Sequence, residues 1–352
     1  MSNKPTGAPE TFRSGFAGFR RENLLSCFFA LCENTSMTRA ELADATRLSI
    51  MTTGKIADAM IERGIWTEEK LPACGAGRRP GTLQFHAKPL FLVLDLSSRR
   101  FCAYALSPTM QAKELCMHDY NDIFPFDDNL LIFLNAVRRA CNTDKEVLPY
   151  LAVMTAPEDD KRQCITRSLA VSPRTREHMV RNIEKILHRD CDLIIDEITA
   201  AQTYFNSLSE FQDLGCGVYV SLSDMMYASV WMRGNLLCPR ICRIGDLLML
   251  EHKKVADALA DALCTEEAVL PVAYAVSTLE SFFTPDQIIF ESCRFGLDEA
   301  FLDGVYEQLK PILPANNRVI PMQICKAMPG AAVCGCAVEL RRTWFYERTG
   351  IK

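Results

Sequence analysis

Residues 215–237 read GCGVYVSLSDMMYASVWMRGNLL. Two apolar runs, Val218–Leu222 and Tyr227–Met232, flank a short polar break at Ser223-Asp224-Met225-Met226, and Arg233-Gly234-Asn235 supplies a second turn. Short apolar runs bounded by turn residues predict strands, so this stretch is expected to be a β-hairpin with Val218, Val220, Leu222 and Val230 buried. Upstream, LFLVLDLSSRRFCAYALSP predicts strands Phe91–Leu96 and Phe101–Leu106, LPYLAVMTAP a buried strand, and DLIIDEITAAQTYFN a strand running into a helix. Helices are expected over Asp128–Cys141, with Leu130, Leu131, Leu134 and Val137 inward, and over Thr175–His188. Downstream come helices Lys253–Leu263 and Val269–Phe283, strand Gln287–Phe290, helix Asp298–Leu309 and a small-residue helix Gly330–Tyr346. Strand pairs followed by alternating strands and helices, twice over, give an α/β protein with two similar lobes.

The first eighty residues are of another kind. They hold 11 basic against 9 acidic residues, a balance of +2, whereas the remainder holds 28 against 35, a balance of −7. Glu22–Cys32 places Leu24, Leu25, Phe28 and Leu31 on one helical face. The next segment, TRAELADATRL, opens with a capping box in which Thr38 and Glu41 satisfy each other's backbone N–H groups, and Leu42, Ala43 and Ala45 form its buried side. Thr46-Arg47-Leu48 is a three-residue break, and Ser49 caps a third helix, Ile50–Arg63, that is expected to bury Ile50, Ile56, Ala57, Met60 and Ile61 and to stop at Gly64. Helix, short turn and helix is the spacing of a helix-turn-helix. Ile65–Lys70 and Thr82–Phe85 are positioned to pair as a wing.

Around the start of the third helix, Arg47, Ser49, Met51, Thr52, Thr53 and Lys55 suit a major groove whose base edges offer donors, acceptors and thymine methyls. Gly54 costs about 1 kcal/mol relative to Ala inside a helix, which close approach of a neighbouring helix or of DNA would rationalise. Arg78 and Arg79 in GRRP read either as a solvated linker or as a basic finger for a narrow minor groove.

The totals narrow the class. At 352 residues the chain is long enough for two or three compact units. No apolar run approaches the ~20 residues needed to cross a bilayer, and the first residues lack the apolar core of a secretory leader, so a cytoplasmic protein without membrane contact is expected. Sixteen cysteines scatter through apolar runs without a C-x-x-C pair or nearby histidines at zinc spacing, so buried, reduced thiols and no metal are expected.

The order of these features resembles the ROK family (repressors, open reading frames and sugar kinases). The features are a winged helix ending in GRRPG, then LVLDLSS, a DEITAA strand–helix junction, the GVYVSLS…GNLL hairpin and a terminal PGAAVCGCAVE helix. The resemblance implies an N-terminal winged helix-turn-helix over 1–87, followed by an actin-like, ribonuclease-H-like two-lobed domain. Its lobes are expected at 88–200 and 201–352, with the last helix returning to the first lobe. It also implies an oligomer that answers to a sugar or sugar phosphate.

Departures from the family pattern decide the expected activity. Ser97-Ser98-Arg99 follow Asp95 where kinases of the family have glycines, and Asp196-Glu197 stand where an Asn-Asp pair holds the catalytic base. Ser223-Asp224-Met225 replace a phosphate-holding Gly-Thr-Gly turn, and Asp246 and Met249 replace a Glu and a His, with no zinc loop after them. IIFESCRFG stands where a Gly-Gly pair would meet adenosine. The expectation is a non-enzymatic transcriptional regulator without cofactor, binding operator DNA as a homodimer or tetramer. Asp196, Glu197 and Asp246 are its candidate effector contacts, against a competing reading as solvated or helix-capping carboxylates. The alternatives are an atypical sugar kinase using Glu197, and a constitutive DNA-binding dimer without effector.

Overall fold

The computed structural model describes residues 19–70, 81–85, 88, 90–143, 148–156, 173–208, 211, 213–222, 226–233, 235–236, 244–247, 249, 253–292, 294–313 and 320–351. The head comprises α1 (Arg21–Asn34), β1 (Ser36–Thr38), α2 (Arg39–Thr46), α3 (Ile50–Glu62), β2 (Trp66–Lys70) and β3 (Gly81–Phe85). Its three strands form an antiparallel sheet in the order β1-β3-β2. The expected helices and both expected wing strands are present. The short β1 was not anticipated; it pairs Ser36–Thr38 with Gln84–Thr82 across a long sequence gap.

The first lobe follows with β4 (Phe91–Leu96), β5 (Arg100–Leu106), β6 (Ala112–Asp119), α4 (Phe126–Thr143), β7 (Tyr150–Thr155), α5 (Pro173–Leu187) and β8 (Leu193–Asp196), leading into α6 (Glu197–Asn206). The second lobe has β9 (Cys216–Leu222), β10 (Met226–Met232), β11 (Asn235–Leu236), α7 (Val255–Asp261), α8 (Thr265–Phe283), β12 (Gln287–Glu291), α9 (Glu299–Leu309) and β13 (Met322–Ile324). The sheets run β6-β5-β4-β7-β8 and β11-β10-β9-β12-β13. Counted from each lobe's own first strand, both orders are 3-2-1-4-5: an antiparallel meander on one side, parallel strands on the other. The duplication expected from the strand and helix pattern is therefore a topological repeat. The last helix, α10 (Ala331–Thr349), packs on α6, β4 and β7 of the first lobe.

The opening hairpin pairs Met226 with Leu222 through Met232 with Cys216. Every residue of β9 is buried, so the expected one-sided alternation gives way to a strand covered on both faces. Val218, Val220 and Leu222 face the core of the second lobe, formed with Val272, Val276 and Phe290. Tyr219, with Tyr227 and Trp231 of β10, faces the opposite way, toward α6 and α10.

Three expected inward side chains point outward. Leu131 of α4 is 45 % exposed, and Phe133 takes its place in the core. Ala45 of α2 is exposed. Ile50 of α3 is 68 % exposed, because it sits at the free end of its helix rather than against the bundle. No helix among the described residues is long and apolar enough to cross a membrane.

Candidate functional site

Two surfaces carry the polar chemistry. In the head, the reciprocal capping box at the start of α2 has Thr38 N–H donating to Glu41 Oε2 (2.7 Å) and Glu41 N–H to Thr38 Oγ1 (3.2 Å). Arg47 ends α2 in the left-handed conformation (φ 55°), turning the chain sharply into α3. Ser49 caps α3 by accepting from Thr52 N–H at 3.1 Å. Arg39 then fixes the angle between the two helices and the sheet. Its guanidinium donates to both carboxylate oxygens of Glu68 on β2 (2.9 and 2.8 Å) and to the Gly54 carbonyl of α3 (3.2 Å), and it lies 2.7 Å from Asp58. Such forked pairing orients as well as attracts.

The end of α3 stands clear of the bundle. Arg47, Ser49, Met51 and Lys55 are exposed and Thr52 is half-buried, its hydroxyl 2.9 Å from that of Ser49. Thr53 must be struck from the set. Its side chain is fully buried and its hydroxyl donates to the Ser49 carbonyl one turn back (2.7 Å), the usual way for a helical Thr to satisfy itself. Ile50 and Met51, 68 % and 72 % exposed, form an apolar tip that was only half recognised in the sequence. Gly54 is not demanded by packing inside the head, since an added Cβ would find only Arg39 Nη1, at 3.8 Å. Arg78 and Arg79 lie outside the described residues, as do Ser223, Asp224 and Met225.

The second surface is at the junction of the lobes. Asp95 at the end of β4, Glu197 opening α6, and Glu291 at the end of β12 are half-buried and act on one another electrostatically. Burial pushes the Glu197 carboxyl up to about 8, and the charges of Asp95, Glu291 and Asp196 add to it. Asp95 and Glu291 are raised for the same first reason, loss of solvent. Among the described residues, what offsets this is hydrogen bonding. Asp95 Oδ1 accepts from Ser97 N–H (2.9 Å) and its hydroxyl (2.6 Å); Glu197 accepts from the Ser221 hydroxyl (2.9 Å). Glu291 accepts from the Tyr219 hydroxyl (2.8 Å) and from the first N–H of α10, at Ala331 (2.9 and 3.2 Å).

Of the three carboxylates expected to contact an effector, Glu197 is the one that belongs to this cluster without capping a helix or pairing with a lysine among the described residues. Asp196 is the N-cap of α6, accepting from Thr199 N–H (2.9 Å) and its hydroxyl (2.6 Å), so its helix-capping reading holds. Asp246 sits in a single helical turn, Ile244–Asp246, of the second lobe, with Lys254 Nζ at 3.1 Å. Glu291, Tyr219 and Ser221 were missed. The two on β9 were hidden by a strand buried on both faces, and Glu291 by a partner 40 residues away. Among the described residues, no group of three His, Cys, Asp or Glu is arranged to hold a metal ion.

Paired lobes of identical strand order, a helix returning from the second lobe to the first, and a helical head define a recognisable architecture. A solved ROK family transcriptional regulator, a homolog of the E. coli MLC protein, superimposes with a TM-score of 0.62 over 93 % of this chain and 99 % of its own, at 13 % identity. The chain has the ROK fold. A ROK family glucokinase from Streptomyces griseus, solved with glucose and AMPPNP, matches with a TM-score of 0.51 at 12 % identity, over 72 % of this chain and 99 % of its own. The regulator therefore aligns with a stretch larger by about one head than the kinase does. No family model and no curated protein matches the chain by sequence. At this identity the likeness speaks to the ROK fold alone, and activity has to be argued from the side chains.

Proposed function

We propose that the chain is a DNA-binding transcriptional regulator of the ROK type, its head a winged helix-turn-helix and its two-lobed body a sensor rather than a kinase. The observation that carries the reading is the free end of α3. A capped helix, locked to α2 and β2 by Arg39, presents Arg47, Ser49, Met51, Thr52 and Lys55 to solvent. Short hydroxyls, an apolar tip for thymine methyls and two cations are what a recognition helix needs at its N-terminal end. Arg78 and Arg79 are proposed to extend the contact into the minor groove. Reading a palindromic operator requires a homodimer or tetramer.

The body fits this role. The three carboxyl groups at the lobe junction offer a triphosphate no positive charge, and with Glu197 largely protonated near neutral pH they supply hydrogen-bond donors and acceptors that favour a neutral polyol, a sugar-like effector without phosphate. One observation favours the atypical kinase instead. A carboxyl raised to about 8 is poised as a general base, and Glu197 is such a group.

The test is selection of binding duplexes from random DNA by the full chain, repeated with Met51→Ala, Thr52→Ala and Arg78→Ala/Arg79→Ala. A palindromic motif that loses definition at its centre-proximal bases with the first two, and in its A·T flank with the last, supports the regulator. No enrichment at low salt, together with ATP-dependent phosphorylation of a sugar that Glu197→Gln abolishes, moves the assignment to the kinase.

A further inference from the structure

One helix runs from the junction cluster to the core of the head. α10 has 19 residues and is therefore about 28 Å long. Its first N–H group, at Ala331, is held by both oxygens of Glu291, and Gly330 makes the approach possible, since a Cβ there would collide with Glu291 Oε1. Some 21 Å further along, Phe345 packs its ring on Phe28 of α1 (centroids 4.1 Å apart), and Trp344 meets Phe85 of β3 (6.4 Å). The first turn of α10 thus sits in the junction cluster and its last turns sit in the core of the head.

What lies between makes the helix a single rigid part. Thirteen of its residues are buried. Its backbone at Gly335 is pressed on α6 so closely that a Cβ would collide with the Ala200 carbonyl, and α6 begins at Glu197. Glu197 and Glu291, coupled to each other, therefore stand at the first turns of two helices that cannot slip independently. The joint with the head is made differently. Besides the aromatic rings it includes Arg21 of α1 over the Tyr346 ring (6.0 Å) and Arg341, which is buried. Its Nη1 donates to the Pro108 carbonyl (3.1 Å), its guanidinium lies 5.9 Å from the centre of the Phe28 ring, and its Nε–H has no partner among the described residues. A buried donor left unused opposes the contact that buries it, so Arg341 is a costly member of a seat otherwise made of fully buried aromatic rings.

We propose that α10 is a strut that couples the junction carboxylates to the seat of the head, so that engaging or neutralising Glu291 shifts the head on the body. Its last link, from the seat of the head to the placement of α3 on DNA, rests on the regulator reading. The physical route is short. A charged Glu291 stabilises the positive end of α10 and takes its first N–H; losing that charge loosens this end of a stiff helix packed on α6, and the displacement is passed to the aromatic seat at its other end.

Hydrogen–deuterium exchange on the full chain tests this in both directions. Glu291→Gln is expected to speed exchange in α1 and β3 by about fivefold or more, and Phe28→Ala to do the same at residues 331–335, because coupling is reciprocal. Peptides from α9 serve as the control and stay unchanged. Exchange that rises at 331–335 in Glu291→Gln while α1 and β3 stay still overturns the proposal. Should Glu291→Gln loosen the whole chain, Phe28→Ala decides, and no change at 331–335 then sinks it. On a selected duplex, Glu291→Gln should alter affinity by a similar factor. If no duplex is bound by any form, the regulator reading fails while the exchange data still judge the strut.

Discussion

The head and the lobe junction each gather a few charged side chains, and they do so in opposite ways. In the head, Arg39 stands between Glu68 and Asp58, one cation against two carboxylates, with the Gly54 carbonyl completing its shell. At the junction Asp95, Glu197 and Glu291 act on one another, and among the described residues hydroxyls and backbone N–H groups attend them. The first cluster is satisfied and exists to hold an angle. The second gathers like charges, an arrangement that clusters at functional sites and is the reason for proposing one here. Removing Arg39 should therefore weaken the first cluster, and neutralising Glu197 should relieve the second.

The largest effect is expected at the junction and depends on pH. The Glu197 carboxyl rises from 4.5 to about 8 on folding, so between those values the folded chain holds a proton that the unfolded chain releases. Stability must then fall as pH rises from about 4.5 to about 8 and level off above, with no contribution below the unfolded value. The shift corresponds to roughly 4–5 kcal/mol between the two protonation states. Asp95 and Glu291 act in the same direction, since both are raised by burial. Urea unfolding at several pH values is expected to show the decline, and Glu197→Gln to flatten it and to be the more stable form at pH 8.5. A profile unchanged by Glu197→Gln would put the junction on the same footing as the head.

Arg39→Met is the counterpart. It leaves Glu68 and Asp58 facing each other without their cation and frees the Gly54 carbonyl. Because the side chains of Arg39 and Glu68 are about 30 % exposed and that of Asp58 more so, the cost is about 1–2 kcal/mol, between a surface and a buried pair. The loss should appear in the head, as earlier exchange of α2 and β2, with the junction's pH profile intact. Lesser again is Thr38→Ala, which removes one half of the capping box and should cost about 1 kcal/mol.

These two clusters also divide what was legible in the sequence. The head's caps were readable because each depends on residues three apart, and Thr38, Glu41 and Ser49 all act as their spacing predicts. Where the head misled, polarity was taken for exposure. Thr53 satisfies its hydroxyl on the preceding turn and is buried, whereas apolar Ile50 projects into solvent. The junction was legible only by resemblance, at Asp95 and Glu197. Glu291 meets Tyr219 across 72 residues and Ala331 across 40, contacts that no local pattern announces. β6 was missed for a related reason: it is an edge strand with a largely exposed sequence, AKELCMHD, and carries no apolar period.

The smallest expected change in stability falls on the surface that should matter most for binding. Met51 and Lys55 are exposed on α3, away from both charged clusters, so Met51→Ala and Lys55→Ala should each alter unfolding free energy by no more than about 0.5 kcal/mol. Their effects on a selected duplex should differ in kind. Lys55 can neutralise a phosphate, so its loss should weaken all duplexes alike and lower the salt-dependence slope by about 1. Met51 offers only a thioether and methylenes, so its loss should leave the slope unchanged and cost affinity selectively where a thymine methyl is contacted, by about 1–3 kcal/mol at that base pair. If the two variants shifted salt dependence equally, α3 would be contacting backbone alone. The head would then be a charged clamp, and sequence would have to be read elsewhere.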